Sequence, residues 1–218
     1  MNSEQTLREL TNAIVKGDIL ATGHAARCLM EKEHPVTATL DAIVDASNIV
    51  NDLYNIGEYD RSNVTASSRA TLAALQVLDP QLSIEESKGI GKVVVGCIPE
   101  DALEFDMPVA SSVLRAAGFK TINLPRAVTY ENLTSIASQN QCDLVVLLIK
   151  TREDDPRVQR LALELRESLL KKTLKVIVGG NLEAARIYGK YGFTNYFSDL
   201  GDLVSKLTEI VIKEQEAR

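Results

Sequence analysis

A chain of 218 residues with 45% hydrophobic and 25% charged side chains holds enough apolar material for one large domain or two small ones. A formal net charge of −6 and a pI near 5.1 oppose phosphate backbones and anionic lipid, so neither direct nucleic-acid binding nor a membrane partner is expected. No apolar stretch approaches the ~20 residues that span a bilayer, MNSEQTLREL lacks the basic-then-apolar pattern of a secretion signal, and Cys28, Cys97 and Cys142 have neither disulfide nor zinc spacing. A reduced, cytoplasmic protein is the expectation.

The first eighty residues predict helices. Ser3 starts one that runs to about Lys16, and Gly17-Asp18 breaks it. Asp18 caps a second, which ends near Glu33, before His34-Pro35. Leu40, Ile43, Val44, Val50 and Leu53 then follow the three-and-four spacing of an apolar helix face. A turn over 55–60 leads to a fourth helix from about Ser62 to Leu78, expected to stop at Asp79-Pro80. Four short helices with brief connections predict a small bundle over 1–80. Residues 81–91, polar and punctuated by Gly89 and Gly91, read as a linker.

From 92 to 218 the period changes. The run 92–98 is continuously apolar and β-branched, as a strand buried on both faces requires. A helix over 107–117, a strand over 120–124, a helix over 129–139 and a second fully apolar strand over 143–149 follow. A helix over 155–171, a strand over 175–178 ending at Gly179-Gly180, a helix over 182–190, a short strand near 195–197 and a helix over 200–214 complete the chain. Five strands alternating with helices predict an α/β, doubly wound, flavodoxin-like parallel sheet.

Ligands of such sheets bind beyond the carboxyl ends of the strands, where the strand order reverses. Here those ends lead into 98–108, 150–155 and 179–181. The first segment is long and lacks the spaced glycines of a dinucleotide or phosphate loop. Asp106 is expected to cap the helix that follows, with Pro108 in its first turn. Glu100, Asp101, Glu104 and Asp106 crowd one loop, as in a cation-binding phosphoacceptor. Strand three nevertheless ends Leu148-Ile149-Lys150-Thr151, without the carboxylate a phosphoacceptor needs. Both histidines, His24 and His34, fall in the helical part, with His34 expected to face solvent. No serine sits in a strand-to-helix elbow, and Cys97 reads as a small buried hydrophobe. The chain offers no self-sufficient active site, so catalysis on its own is not expected.

A helical bundle followed by this sheet resembles the cap-plus-cobalamin-binding module of methionine synthase, of corrinoid methyl-carrier proteins and of cobalamin-dependent photoreceptor regulators. The resemblance covers about residues 20–210. Ile56-Gly57-Glu58-Tyr59 and the helix running from Ala73 to Pro80 look like the family's glycine-glutamate-tyrosine turn and proline-ended helix. Val93 to Gly96, then Asp101 through Ala116-Ala117-Gly118-Phe119, match its sheet-domain motif without a gap.

The resemblance implies cofactor-binding positions at Gly96, Asp101, Leu103, Asp106, Leu148, Lys150, Gly179 and Gly180. In the family motif the position of Leu103 is the histidine below cobalt, oriented by the aspartate that Asp101 matches. Asp106 stands at a glycine position, and Leu148 and Lys150 at a Ser-x-Leu pair that contacts the nucleotide tail. Gly179-Gly180 match the pair that lets the tail approach the backbone. Leucine cannot ligate a metal, so the resemblance implies a cobalamin-binding-type sensor or carrier-like protein without the lower axial histidine, regulatory rather than catalytic alone. Its ligand would be cobalamin, another corrinoid or another small molecule, with His24 or His34 as an upper ligand to cobalt and a protein as partner. The alternative is a module that has lost the cofactor and works through protein or other small-ligand contacts, with Leu103 and Leu148 plugging the tail slot.

Overall fold

A computed structural model describes residues 3–98, 106–124, 128–142, 144–149, 156–170, 174–179, 193 and 195–216. The described elements are α1 (Ser3–Val15), α2 (Ile19–Glu31), α3 (Val36–Asn55), α4 (Arg61–Glu86), β1 (Gly91–Ile98), α5 (Asp106–Ala116), β2 (Phe119–Asn123), α6 (Tyr130–Gln139), β3 (Leu144–Ile149), α7 (Pro156–Leu170), β4 (Lys175–Gly179), β5 (Asn195–Phe197) and α8 (Leu200–Glu216). They form two compact units. One holds α1–α4 together with α5, and the other holds the five strands with α6–α8.

In the helical unit, Leu10 and Ile14 of α1, Leu29 of α2, Leu40 and Ile43 of α3 and Leu78 and Leu82 of α4 are buried. Alanines 25, 26, 46, 70 and 74 are buried with them, and small side chains let neighbouring helices approach closely. The α1–α2 turn shows why Gly17 is needed. Its φ is +71°, and a methyl there would lie 2.6 Å from Cβ of Ala66, so both backbone and space demand glycine. At the end of α2 the N–H of Glu33 donates to Met30 and that of His34 to Leu29, with Glu33 at φ +53°. This is the fold-back that satisfies terminal helix carbonyls, here without the usual glycine.

The start of α4 is fixed by a reciprocal box, in which the Asp60 carboxylate accepts from the N–H of Asn63 while the Asn63 side chain accepts from the N–H of Asp60. Hydrogen bonds from Ser62 and Asn63 hold the Asp60 pKa below its ordinary value. The expected stop at Asp79-Pro80 does not occur. Helix α4 continues through Pro80 to Glu86, so residues 81–86 of the expected linker are helical. Proline removes one helical hydrogen bond and crowds the preceding turn. Two features offset this: Leu82 is buried four residues after Leu78, and the last turn is tied to α5. Arg115 of α5 donates to Asp79 (2.7 Å), to the Ser83 hydroxyl (2.9 Å) and to Glu86 (2.8 Å). Burial by itself would lower the Arg115 pKa, but its hydrogen bonds to Asp79 and Glu86 outweigh that and raise it.

The second unit is a five-stranded, all-parallel sheet in the order β2-β1-β3-β4-β5. That is the flavodoxin-like order, in which the chain reverses direction across the sheet between β1 and β3. Every residue of β3 is buried, as are Val93, Val94 and Val95 of β1 and Val176, Ile177 and Val178 of β4. Continuous apolar strands are what burial on both faces requires. Leu161 and Leu165 of α7 and Leu203, Leu207 and Val211 of α8 supply the helical side of this core. The helix expected over 182–190 lies outside the described residues. No helix among the described residues is long and apolar enough to cross a membrane.

Candidate functional site

Parallel strands in register point paired side chains to the same face. Cys97 pairs with Leu148, Leu148 with Gly179, and Gly179 with Phe197. These four residues therefore form one row across β1, β3, β4 and β5 near the carboxyl ends of the strands. Leu148 is 4% exposed and Phe197 4%. Gly179 gives the row its one notch, and the notch is filled: a methyl built on Gly179 would overlap the tip of the Phe197 ring.

Gly96 pairs with Leu147, one step back and on the opposite face. The space over it is closed as well, since a methyl there would meet Leu124 at 2.7 Å and Val128 at 3.1 Å. Of the expected site residues, Leu148 and Gly179 are thus brought together, and Gly96 is not. Asp106 is buried as the first residue of α5. Its negative charge complements the amino end of that helix, and it belongs to the helical unit. Asp101, Leu103, Lys150 and Gly180, together with the loop carboxylates Glu100 and Glu104, lie outside the described residues.

Phe197 was not among the residues singled out from sequence, because its role depends on the β4–β5 register. It is braced on both sides. Lys206 of α8 donates to the carbonyl of Tyr196 and to Asp202 (2.8 Å), and Asp202 accepts from the N–H of Ser198 at 2.8 Å. The hydrogen bond from Lys206, then that from Ser198, holds the Asp202 pKa low. Asp199 caps the same helix by accepting from the N–H of Asp202 at 2.9 Å, which lowers its pKa too. The Tyr196 hydroxyl donates to the carbonyl of Phe193, and burial raises its pKa.

The histidines sit on the helical unit. His24 is exposed on α2, with Nε2 3.7 Å from Sγ of Cys28 one turn on. His34 does not face solvent as expected: it is half-buried, and its Nε2 is buried without a hydrogen-bond partner. Cys97 is half-buried, and Cys142 is buried, donating to the carbonyl of Lys92 at 3.0 Å. The described residues contain no cluster of three or more histidine, cysteine or acidic side chains that would hold a metal ion.

Along this row neither Leu148 nor the Phe197 ring offers a hydrogen bond to a polar ligand group.

Residues 6–79 match the family described as "B12 binding domain". Over its length the chain is similar to dimethylamine corrinoid protein 1 of Methanosarcina mazei, with 25% identity over 97% of this chain and 98% of that protein. Its fold is similar to that of the monomethylamine corrinoid protein of Methanosarcina barkeri, with a TM-score of 0.78 at 19% identity over 96% of this chain and all of that one. It is also similar to a chain of the methanol:cobalamin methyltransferase complex of Methanosarcina barkeri, with a TM-score of 0.50 at 18% identity over 96% of this chain and 80% of that one. The helical part of the chain is thus similar to B12 binding domains, and the chain over its length to corrinoid proteins.

Proposed function

We propose that this protein binds a corrinoid, gives its cobalt no imidazole from the sheet unit, and acts through a protein partner rather than as an enzyme by itself. The observation that carries this reading is the placement of histidine. His24 and His34 are the chain's two histidines, and no residue from Pro35 to Arg218 is one. A bound corrinoid would supply a cobalt centre able to accept and donate a methyl group. The protein's own part would be to shelter the corrin and present it.

The similarity to a dimethylamine corrinoid protein, and to a chain from a methanol:cobalamin methyltransferase complex, supports a methyltransferase-type partner. Without a sheet histidine to tune cobalt, delivery or regulation suits these residues better than independent catalysis. A second reading, a module that has dispensed with the cofactor, is favoured by the filled notch over Gly179.

Absorbance separates the two. The purified protein is incubated with hydroxocobalamin, methylcobalamin and adenosylcobalamin and then desalted. Stoichiometric retained colour is expected, with band positions unchanged in Leu103→Ala. A band shift in His24→Ala or His34→Ala would identify an axial ligand from the helical unit. Colourless protein with all three would overturn corrinoid binding and leave the cofactor-free module.

A further inference from the structure

We infer that Phe197 is a specificity-determining plug, and that the protein takes a corrinoid lacking its nucleotide tail as readily as one that carries it. This inference rests on the corrinoid reading above and names which part of the ligand the sheet excludes. In the row Cys97, Leu148, Gly179 and Phe197, Gly179 alone has no side chain, and the Phe197 ring occupies that space. An incoming tail would have to move the ring and bury phosphate and base against a leucine and a phenyl group. Polar atoms that lose water without gaining partners are destabilised.

The plug is held in place. The residue before it is fastened through its carbonyl to Lys206, and the residue after it through its N–H to Asp202. Lys206 and Asp202 also pair with each other on α8, so backbone anchors on both sides of the ring share one ion pair. Moving the ring by shifting β5 would break those anchors, whereas truncating the side chain would open the notch and leave them intact.

The test is equilibrium binding of cobalamin and of cobinamide, which lacks the nucleotide, to the full chain. For the wild type the two dissociation constants are expected to agree within about threefold, which is under 1 kcal/mol. Phe197→Ala should favour cobalamin over cobinamide by about tenfold more than the wild type does. Asp202→Asn, which loosens the brace and keeps the ring, should shift the ratio the same way by less, and it serves if the alanine variant folds poorly. A wild-type preference for cobalamin of about a hundredfold, or a ratio unmoved in every folded variant, would overturn the plug and leave corrinoid binding standing. Failure of both corrinoids to bind the wild type would remove the corrinoid reading and this inference together.

Discussion

The two units bury different chemistry. Every buried polar side chain among the described residues lies in the helical unit: Thr6, Thr22, Thr39, Ser47, Ser67, Ser68 and Thr71 in α1–α4, and Asp106, Ser111 and Ser112 in α5. Among the described residues the buried side chains of the sheet unit are apolar, and the strand ladder pairs their backbone. Helices leave no ladder between them, and some of these small hydroxyls bond carbonyls of the preceding turn, as Ser47 does to Ile43 (2.8 Å) and Thr71 to Ser67 (2.9 Å). The helical unit therefore adds modest polar ties to a core of leucines, isoleucines and alanines. The sheet depends on bulk apolar packing, and polar ligand groups gain little from its interior.

This contrast predicts where stability is concentrated. Leu147, fully buried in the central strand β3, packs beside the space over Gly96. Leu147→Ala is expected to destabilise the sheet unit by about 2–5 kcal/mol through lost burial and a cavity. Urea denaturation followed by amide exchange would locate the loss. A cost below that range, or one spread equally over the helical amides, would mean that the two units are not energetically distinct.

The next largest effect is expected at Arg115, whose guanidinium joins α5 to the last two turns of α4. Asp79 is 59% exposed on its side chain and Glu86 23%, so the pair to Glu86 is the less screened. Arg115→Ala should cost about 1–2 kcal/mol and fray α4 beyond Pro80. Exchange of amides 81–86 no faster than in the wild type would show that Leu82, rather than Arg115, holds the helix past its proline.

The same region shows what a linear reading reaches. Strands β1 and β3 were legible because burial on both faces leaves an uninterrupted apolar run, and the helices of the bundle because their buried residues recur every three or four positions. The continuation past Pro80 runs against the local rule for proline and follows the spacing of Leu75, Leu78 and Leu82, all three of which are buried. The grouping of α5 with the helices was not legible: its ties join residues 29 to 36 positions apart, and its place between two strands pointed to the sheet. At the site, sequence singled out Leu148 and Gly179 as neighbours of a ligand. It missed Phe197, since a ring filling a glycine notch is a fact of strand register, and no local pattern carries register.

A smaller test within the helical unit uses one carbonyl. Val15, the last residue of α1, accepts from the Tyr59 hydroxyl (3.0 Å) and from the Ser67 hydroxyl (2.9 Å). Tyr59→Phe and Ser67→Ala should each cost about 0.5–1.5 kcal/mol. The double variant should cost more than the sum, because either donor alone still serves the carbonyl and the loss of both leaves it unserved. Strict additivity in a double-mutant cycle would show that water replaces the second donor, and that the surroundings of the Val15 carbonyl are more open than the burial of Ser67 implies.

The smallest expected effect is the pH dependence of the Asp60 cap. Its folded pKa is held down, chiefly by the Ser62 side chain and then by the N–H groups of Asn63 and Ser62. A depressed carboxylate contributes stability that is fully present above its unfolded value, about 3.9, and is lost as pH falls through the lower folded value. Asp60→Asn keeps an oxygen that can accept from the helix N–H groups but removes the titration. The wild-type advantage in melting temperature over this variant should therefore be constant above about pH 5 and shrink below about pH 4. Asp199 and Asp202 of the other unit, also held low, titrate in both proteins and cancel in the difference. An advantage that grows on acidification would have the wrong sign for a depressed carboxylate, and the cap would then owe its strength to the geometry of Asn63 and Ser62 rather than to charge.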